Sequence, residues 1–272
     1  MSAIRIYPVK SLAGVTVREA VVEPWGLQHD RRWIVLEPDG TFLTARREHA
    51  MLGITASPLD GGGITLADRD GSSISVEAPV DGEFVATAVS RLSSLRKAAA
   101  EADEWLSSAL RRPVRLAWLD DPRRRTVSEA HGGVPGDVLN LADAGPILLT
   151  SRASLDQLNL WAADVAAARG EPPPAPFAME RFRPNVVVDV DVEPFAEDAW
   201  ARVRIGKRSF RQSERCDRCV LTTIDPLTLT GGKEPLRTLA RHRRFAGKTW
   251  FGVRLVPLST GGLTVGDDLE VG

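Results

Sequence analysis

Both cysteines of the 272-residue chain fall in one short segment, Cys216-Asp217-Arg218-Cys219. A thiol acts as a nucleophile or soft-metal ligand only as the thiolate, and neighbouring guanidinium charge favours that form. Arg215 and Arg218 flank Cys216 and supply such charge. Upstream, Arg181-Phe182-Arg183-Pro184-Asn185 offers two more planar forks suited to an anion. The pattern asks for chemistry that uses one or two thiolates together with several anion-binding arginines.

Four chemistries compete for the cysteine pair. A redox dithiol normally places its Cys-x-x-Cys at the start of a helix. Here the β-branched run Val220-Leu221-Thr222-Thr223-Ile224 reads as a strand. A structural zinc site needs four ligands, and the other candidates are the scattered His29, His49, His131 and His242. An iron–sulfur cluster usually needs four cysteines and is excluded by count. Two ordinary buried thiols are the bland alternative. The sharper one is a single-thiolate ligand to a metal carried within a larger cofactor.

The elements that must position these residues are mostly short strands. Ile4 to Val9, Val15 to Val22, Trp33 to Glu37 and Thr41 to Thr44 read as strands, with a hairpin turn at Pro38-Asp39-Gly40. Further strands are expected at Ile64–Leu66, Ile74–Val76, Val114–Leu119, Val186–Val190, Ala201–Ile205, Gly252–Pro257 and Leu263–Val265. Apolar residues at three- and four-residue steps predict a helix from Arg91 to Arg112 and another from Ser151 to Arg169. Ser151 would cap the second. A short helix is expected near Pro235 to Arg243. This is an α+β chain built around a β-barrel core, with a boundary in the charged loop Asp120-Asp121-Pro122-Arg123-Arg124-Arg125. The regions are then 1–119 and 120–272, and the three arginines of the loop read as solvated, the alternative being a docking patch for an acidic partner.

Composition narrows the partners. A net charge of -1 gives no global basic field for nucleic acid or anionic lipid. No apolar run reaches the roughly 18 to 20 residues of a membrane span, and no signal peptide is visible at the start. With two cysteines only, the expected compartment is the reducing cytoplasm.

Several stretches carry a family resemblance: Tyr7-Pro8-Val9-Lys10-Ser11, Asp30-Arg31-Arg32-Trp33, Arg181-Phe182-Arg183-Pro184-Asn185 and Cys216-Asp217-Arg218-Cys219 through Asp225-Pro226. The closing Phe251-Gly252 through Val265-Gly266-Asp267 fits as well. In this order, over essentially the whole chain, they resemble the MOSC-domain family with its N-terminal MOSC β-barrel companion. The similarity is strongest to the branch of the mitochondrial amidoxime-reducing component and its bacterial relatives. The resemblance implies a MOSC fold centred on a β-barrel with peripheral helices, packed with an N-terminal β-rich region. It implies a molybdenum cofactor whose metal is ligated by Cys219, the catalytic position. Lys10, Ser11, Arg31, Ser151, Arg183, Asn185 and Arg218 match positions that hold that cofactor, and Cys216 would stand behind them. The family description also carries pyridoxal phosphate binding.

The implied activity is reduction of small N-oxygenated substrates, with electrons from a separate ferredoxin- or flavoprotein-type donor. The rival is a cofactor or sulfur carrier without reductase activity, and a cofactor-free remnant is a third alternative. No anchoring segment or C-terminal ferredoxin-like domain is apparent, so membrane attachment is not expected. Arg254 stands where relatives often place Tyr or Asn, which weakens any transfer of substrate preference.

Overall fold

The computed structural model describes residues Met1–Gly272. The chain forms two compact units that interleave in sequence. One comprises Met1–Arg5, Val17–Glu23 and Ile147–Gly272, and the other Ile6–Thr16 and Pro24–Pro146. The charged loop at 120–125 lies within the second. The expectation of α+β holds: three α-helices accompany mostly sheet structure.

In the first unit the strands lie in the order Leu269–Val271, Arg202–Ile205, Arg208–Asp217, Lys248–Pro257, Ile147–Ser151, Val186–Val188 and Ala3–Ile6. This is an open path and not the closed barrel expected. Neighbours are antiparallel except Ile147–Ser151 with Val186–Val188, which run parallel. A parallel pair needs a long crossover, and the Arg152–Ala167 helix lies in the connection between them. Leu155 and Leu158 of that helix bury against Phe182, Val187 and Phe251. Each such fully buried side chain contributes roughly 1.5–3 kcal/mol.

Gly252 matters to the sheet. Its φ is +76°, and a Cβ there would stand 2.7 Å from the Leu149 carbonyl oxygen. Only glycine lets the central Lys248–Pro257 strand pass its neighbour so closely.

The second unit holds a four-stranded antiparallel sheet, ordered Trp33–Leu36, Arg115–Trp118, Ser94–Lys97 and Phe84–Ala86. A meander of Thr55–Pro58, Ile64–Ala67 and Ser73–Val76 accompanies it. Its helix covers Ala100–Leu110, not Arg91–Arg112. Ser94–Lys97 is a strand instead, and Leu92 and Leu95 bury with Ile34, Leu36 and Ala117. Leucines three apart satisfy a short strand–turn as well as a helix, and pairing with Arg115–Trp118 decides the outcome.

Three other expectations fail locally. Val220–Thr223 is a 3-10 turn and not a strand. The Thr222 and Thr223 hydroxyls donate to the carbonyls of Cys219 and Val220 at 3.0 and 2.8 Å, so side chains compete with strand pairing. The turn at Gly40 forms, with φ +86°, but its second arm is reduced to a single Leu36–Phe42 bridge. The arginine run is not uniformly solvated: Arg123 is exposed, Arg124 pairs with Asp120, and Arg125 is buried. No helix is long and apolar enough to cross a membrane.

Candidate functional site

The first unit places the two cysteines in different environments. Cys216, at the end of the long Arg208–Asp217 strand, is buried, whereas Cys219 is exposed. Cys219 precedes the 3-10 turn, and its carbonyl accepts the Thr222 amide at 3.1 Å. The Arg218 amide donates to the Thr249 carbonyl at 2.8 Å, which anchors the segment to the central strand. Its guanidinium bridges two sequence motifs. Nη1 donates to Cys216 Sγ at 2.9 Å and Nη2 to the Phe182 carbonyl at 2.6 Å. Phe182 in turn stacks on Phe251, centroids 4.0 Å apart.

Beneath the cysteines lies a charge group that the sequence did not reveal. Arg254 is buried and donates to Glu214, and to Asp217 at 2.7 Å. Burial acts against its charge, but the Cys216 sulfur, Glu214 and Asp217 more than offset that and hold the guanidinium above its ordinary value. Burial likewise opposes the Asp217 carboxylate, yet Arg254 and Lys248 keep its pKa lowered. The Arg254 charge is therefore consumed inside the sheet. Glu214 and Arg254 face each other across the two strands, a cross-strand pair set by register. That register shifts at Gln212/Glu214 and again at Arg215/Asp217.

Three further predicted residues sit in this unit. Arg183 ends the Met179–Phe182 turn in the left-handed conformation, φ +55°. Asn185 is fully buried and braces the backbone: its side-chain oxygen accepts the Leu148 amide at 3.1 Å, and its nitrogen donates to the Arg5 carbonyl at 3.2 Å. Ser151 caps the Arg152–Ala167 helix as expected, accepting the Ser154 amide at 3.1 Å. It is only 1% exposed, and its hydroxyl meets Ser154 Oγ and Glu197. Glu197 is itself fully buried, and burial raises its pKa although the Ser154 and Ser151 hydroxyls oppose the shift.

The second unit gathers the other predicted residues. Asp30, fully buried, accepts the Tyr7 amide at 2.9 Å, and the Arg31 amide donates to the Tyr7 carbonyl at 2.8 Å. Arg31 pairs with Asp30 at 2.5 Å and lies over the Tyr7 ring. Lys10 donates to the Leu141 carbonyl at 2.8 Å and pairs with Asp143, which Arg46 also holds at 2.8 Å. Ser11 is buried with φ +70°. Arg125 donates to the carbonyls of Asn140 and Ala142, both at 2.5 Å. Burial lowers the Lys10 ammonium below its ordinary value despite Asp143, and lowers Arg125 to about 10. Lys10, with Arg46 and Arg31, holds Asp143 well below the usual carboxylate range.

The structure thus joins the predicted residues in two groups, Lys10 with Arg31 in one unit and Arg218 with the turn bearing Arg183 in the other. The sequence reading missed Asp143, Glu197, Glu214 and Asp217. Alternation along Arg208–Asp217 puts Glu214 and Cys216 two residues apart, a weak signal for the second group. Nothing local marks Asp143, which lies 133 residues from Lys10.

No group of three or more His, Cys, Asp and Glu could hold a metal ion, so a site made wholly from the protein is not available. What the chain offers is one exposed thiol, an adjacent arginine whose buried Nε lacks a partner, and a cationic surplus in the second unit. There Lys10 and Arg46 pair with Asp143 and Arg31 with Asp30, while Arg125 is buried against backbone carbonyls. This donor set suits an anionic cofactor that brings its own metal ligands and needs one more sulfur.

The comparisons with known proteins agree with the motif order. Residues 1–113 match the MOSC N-terminal beta barrel domain and residues 136–270 the MOSC domain. The chain is 30% identical to molybdenum cofactor sulfurase of Solanum lycopersicum across 94% of its own length, but spans only 33% of that protein. It is 32% identical to mitochondrial amidoxime-reducing component 1 of Homo sapiens, covering 96% of this chain and 80% of that one. With amidoxime reducing component 2 of Rattus norvegicus it shares 31% identity over 98% of this chain and 81% of that one. The chain belongs to the MOSC-domain family, carrying the MOSC N-terminal domain ahead of the MOSC domain.

Proposed function

We propose that this protein is a molybdenum-cofactor-dependent oxidoreductase that reduces small N-hydroxylated molecules with electrons from a separate protein. The observation that carries the reading is the exposed Cys219 thiol beside an arginine-clamped Cys216, in a chain with no metal-ligand cluster of its own. Relatives named for amidoxime reduction support the substrate class.

Cys219 would supply the protein's sulfur to the metal. Arg183 and Arg218 would hold the cofactor in the first unit, where the buried Asn185 and Ser151 brace the fold, and Lys10, Ser11 and Arg31 form an anion-binding group of their own in the second. Bound there, the cofactor supplies two-electron oxygen-atom chemistry, and the protein supplies binding and charge. Arg218 keeps the Cys216 sulfur and the Phe182 carbonyl in one arrangement, so the exposed thiol of the next residue, Cys219, is presented from an anchored segment. Lys10 and Arg31 offer a point charge and a planar fork, which suit phosphate oxygens.

Metal analysis by inductively coupled plasma mass spectrometry tests this, with protein made in a host that synthesises the cofactor. Wild type should carry near-stoichiometric molybdenum, Cys219→Ala should lose it at least about tenfold, and Cys216→Ala should lose much less. Equal loss from both would point to a dithiol or zinc site. Zinc, or no metal in wild type, would sink the reductase reading; sulfane sulfur on Cys219 without molybdenum would favour a carrier.

A further inference from the structure

Between Lys233 and Lys248 the chain carries Lys233, Arg237, Arg241, Arg243, Arg244 and Lys248 against one acid, Glu234, although the whole protein has a net charge of -1. Arg237 is taken by Glu234 at 2.6 Å and Arg243 by Asp198. Lys233, Arg241 and Arg244 are exposed and form no ion pair. Structural pairing therefore accounts for only part of this charge.

The basic residues surround an aromatic one. Arg244–Phe245 pairs with Lys248–Thr249 in a tight hairpin whose tip, Ala246-Gly247, has positive φ. Phe245 is 39% exposed. It is nonetheless held in place: Trp250 stacks on it at 5.8 Å, and the Arg215 and Arg243 guanidinium groups lie 5.4 Å from its centroid. A fixed exposed aromatic with arginines around it and charge at the rim is the composition of a protein-binding surface.

This surface adjoins the candidate metal ligand. Asp217 pairs with Trp250 in the sheet, and the Arg218 amide donates to the Thr249 carbonyl at 2.8 Å. Cys219 follows at once, and the next residue, Val220, is exposed. The hairpin and the thiol are thus joined by consecutive backbone contacts within one unit.

We propose that the Lys233–Lys248 face docks an acidic one-electron carrier protein. The inference rests on the reductase reading and names where its electrons arrive. Reducing an N–OH group to N–H and water takes two electrons and two protons. The carrier delivers the electrons one at a time and is itself oxidised, while solvent supplies the protons. Complementary charge speeds such encounters and fixes their orientation. The face fits a lipid surface less well, because the Leu236–His242 helix has seven residues and turns Thr238 and Leu239 into the core.

The test uses the molybdenum-loaded full chain, a plant-type [2Fe–2S] ferredoxin as the acidic probe, and the double variant Arg241→Glu/Arg244→Glu beside Phe245→Ala. Binding of oxidised ferredoxin is measured against salt, and substrate reduction is driven separately by ferredoxin and by a small dithionite-reduced viologen. The double variant should weaken ferredoxin binding at least about tenfold and flatten its salt dependence. Phe245→Ala should weaken it without changing the salt slope. Viologen-driven rates should match wild type in both, which also shows that the variants fold. Equal ferredoxin affinity in wild type and the double variant overturns the proposal, as does wild type that fails to bind ferredoxin at low salt. Phosphatidylglycerol vesicles binding this face more tightly than ferredoxin, with the same loss in the double variant, overturns it too. Absence of viologen-driven reduction in molybdenum-loaded wild type sinks the reductase reading instead, and ferredoxin binding still decides the docking.

Discussion

Two basic regions of this protein handle their charge in opposite ways. Around Lys10, Arg31, Arg46 and Arg125 in the second unit, cations outnumber the carboxylates Asp30 and Asp143. Beneath Cys216 in the first unit, Arg254 and Arg218 meet Glu214, Asp217 and the Cys216 sulfur, and charge is nearly balanced. The surplus region leaves Arg125 to the backbone carbonyls of Ser90, Asn140 and Ala142, where burial lowers its pKa. The balanced region raises that of Arg254. A surplus held at cost suits binding an anion that is not part of the chain, whereas a balanced group suits holding a thiol in place.

Breaking the balanced group should give the largest stability effect. Arg254→Ala removes the cation that Glu214 and Asp217 share, leaving Asp217 to Lys248 at 3.9 Å, and Glu214 is only 15% exposed. The expected loss is about 3 kcal/mol, reduced from the fully buried case because Asp217 is partly solvated. Urea unfolding would measure it. Adding Glu214→Gln and Asp217→Asn to Arg254→Met should recover much of the loss, since the uncompensated charges go with the cation. If Arg254→Ala unfolds at the wild-type midpoint, the group is not a stabilising unit.

The surplus group should answer more weakly. Arg125→Met removes a strained cation but strands the carbonyls of Asn140 and Ala142, for a net loss of about 1–2 kcal/mol. In its neighbour Arg123, which is 68% exposed, the same change should stay within about 0.5 kcal/mol. Equal losses at the two positions would mean that burial does not distinguish them. The same substitution tests the surplus by function: inorganic phosphate should bind the Arg125→Met protein less tightly in titration calorimetry.

How much of this was legible beforehand follows physical lines. Local patterns were readable where one signal dominated: Ser151 as a helix cap, the turn at Gly40, and the Arg152–Ala167 helix. They failed where long-range pairing overrode a local preference, as at Ser94–Lys97, or where threonine hydroxyls captured nearby carbonyls, as at Val220–Thr223. The motif residues Lys10, Arg31, Arg183, Asn185 and Arg218 could be named because each stands in a recognisable short string. Their carboxylate partners could not. Asp143 and Glu214 are ordinary acids in sequence, and only chain topology and two register shifts bring them to their cations.

The smallest effect sharpens the comparison with a third case, a buried carboxylate that has hydroxyls and no cation. Glu197 is fully buried and accepts from Ser151 at 3.0 Å and from Ser154 at 2.7 Å. Burial raises its pKa above the ordinary 4.5, and the two hydroxyls only partly oppose this. Above 4.5 the folded chain therefore keeps a proton that the unfolded chain has released. Its contribution to stability is complete below 4.5 and is lost as pH climbs through the raised value. Glu197→Gln cannot titrate, so its stability relative to wild type should improve with pH across that window, while the two proteins differ least in acid. Chemical unfolding at stepped pH reads this directly. A wild-type curve parallel to that of Glu197→Gln from acid to neutral pH would mean that Glu197 titrates in the folded chain as it does in the unfolded one. In that event the Ser151 and Ser154 hydroxyls at the helix start would offset the whole cost of burying the carboxylate.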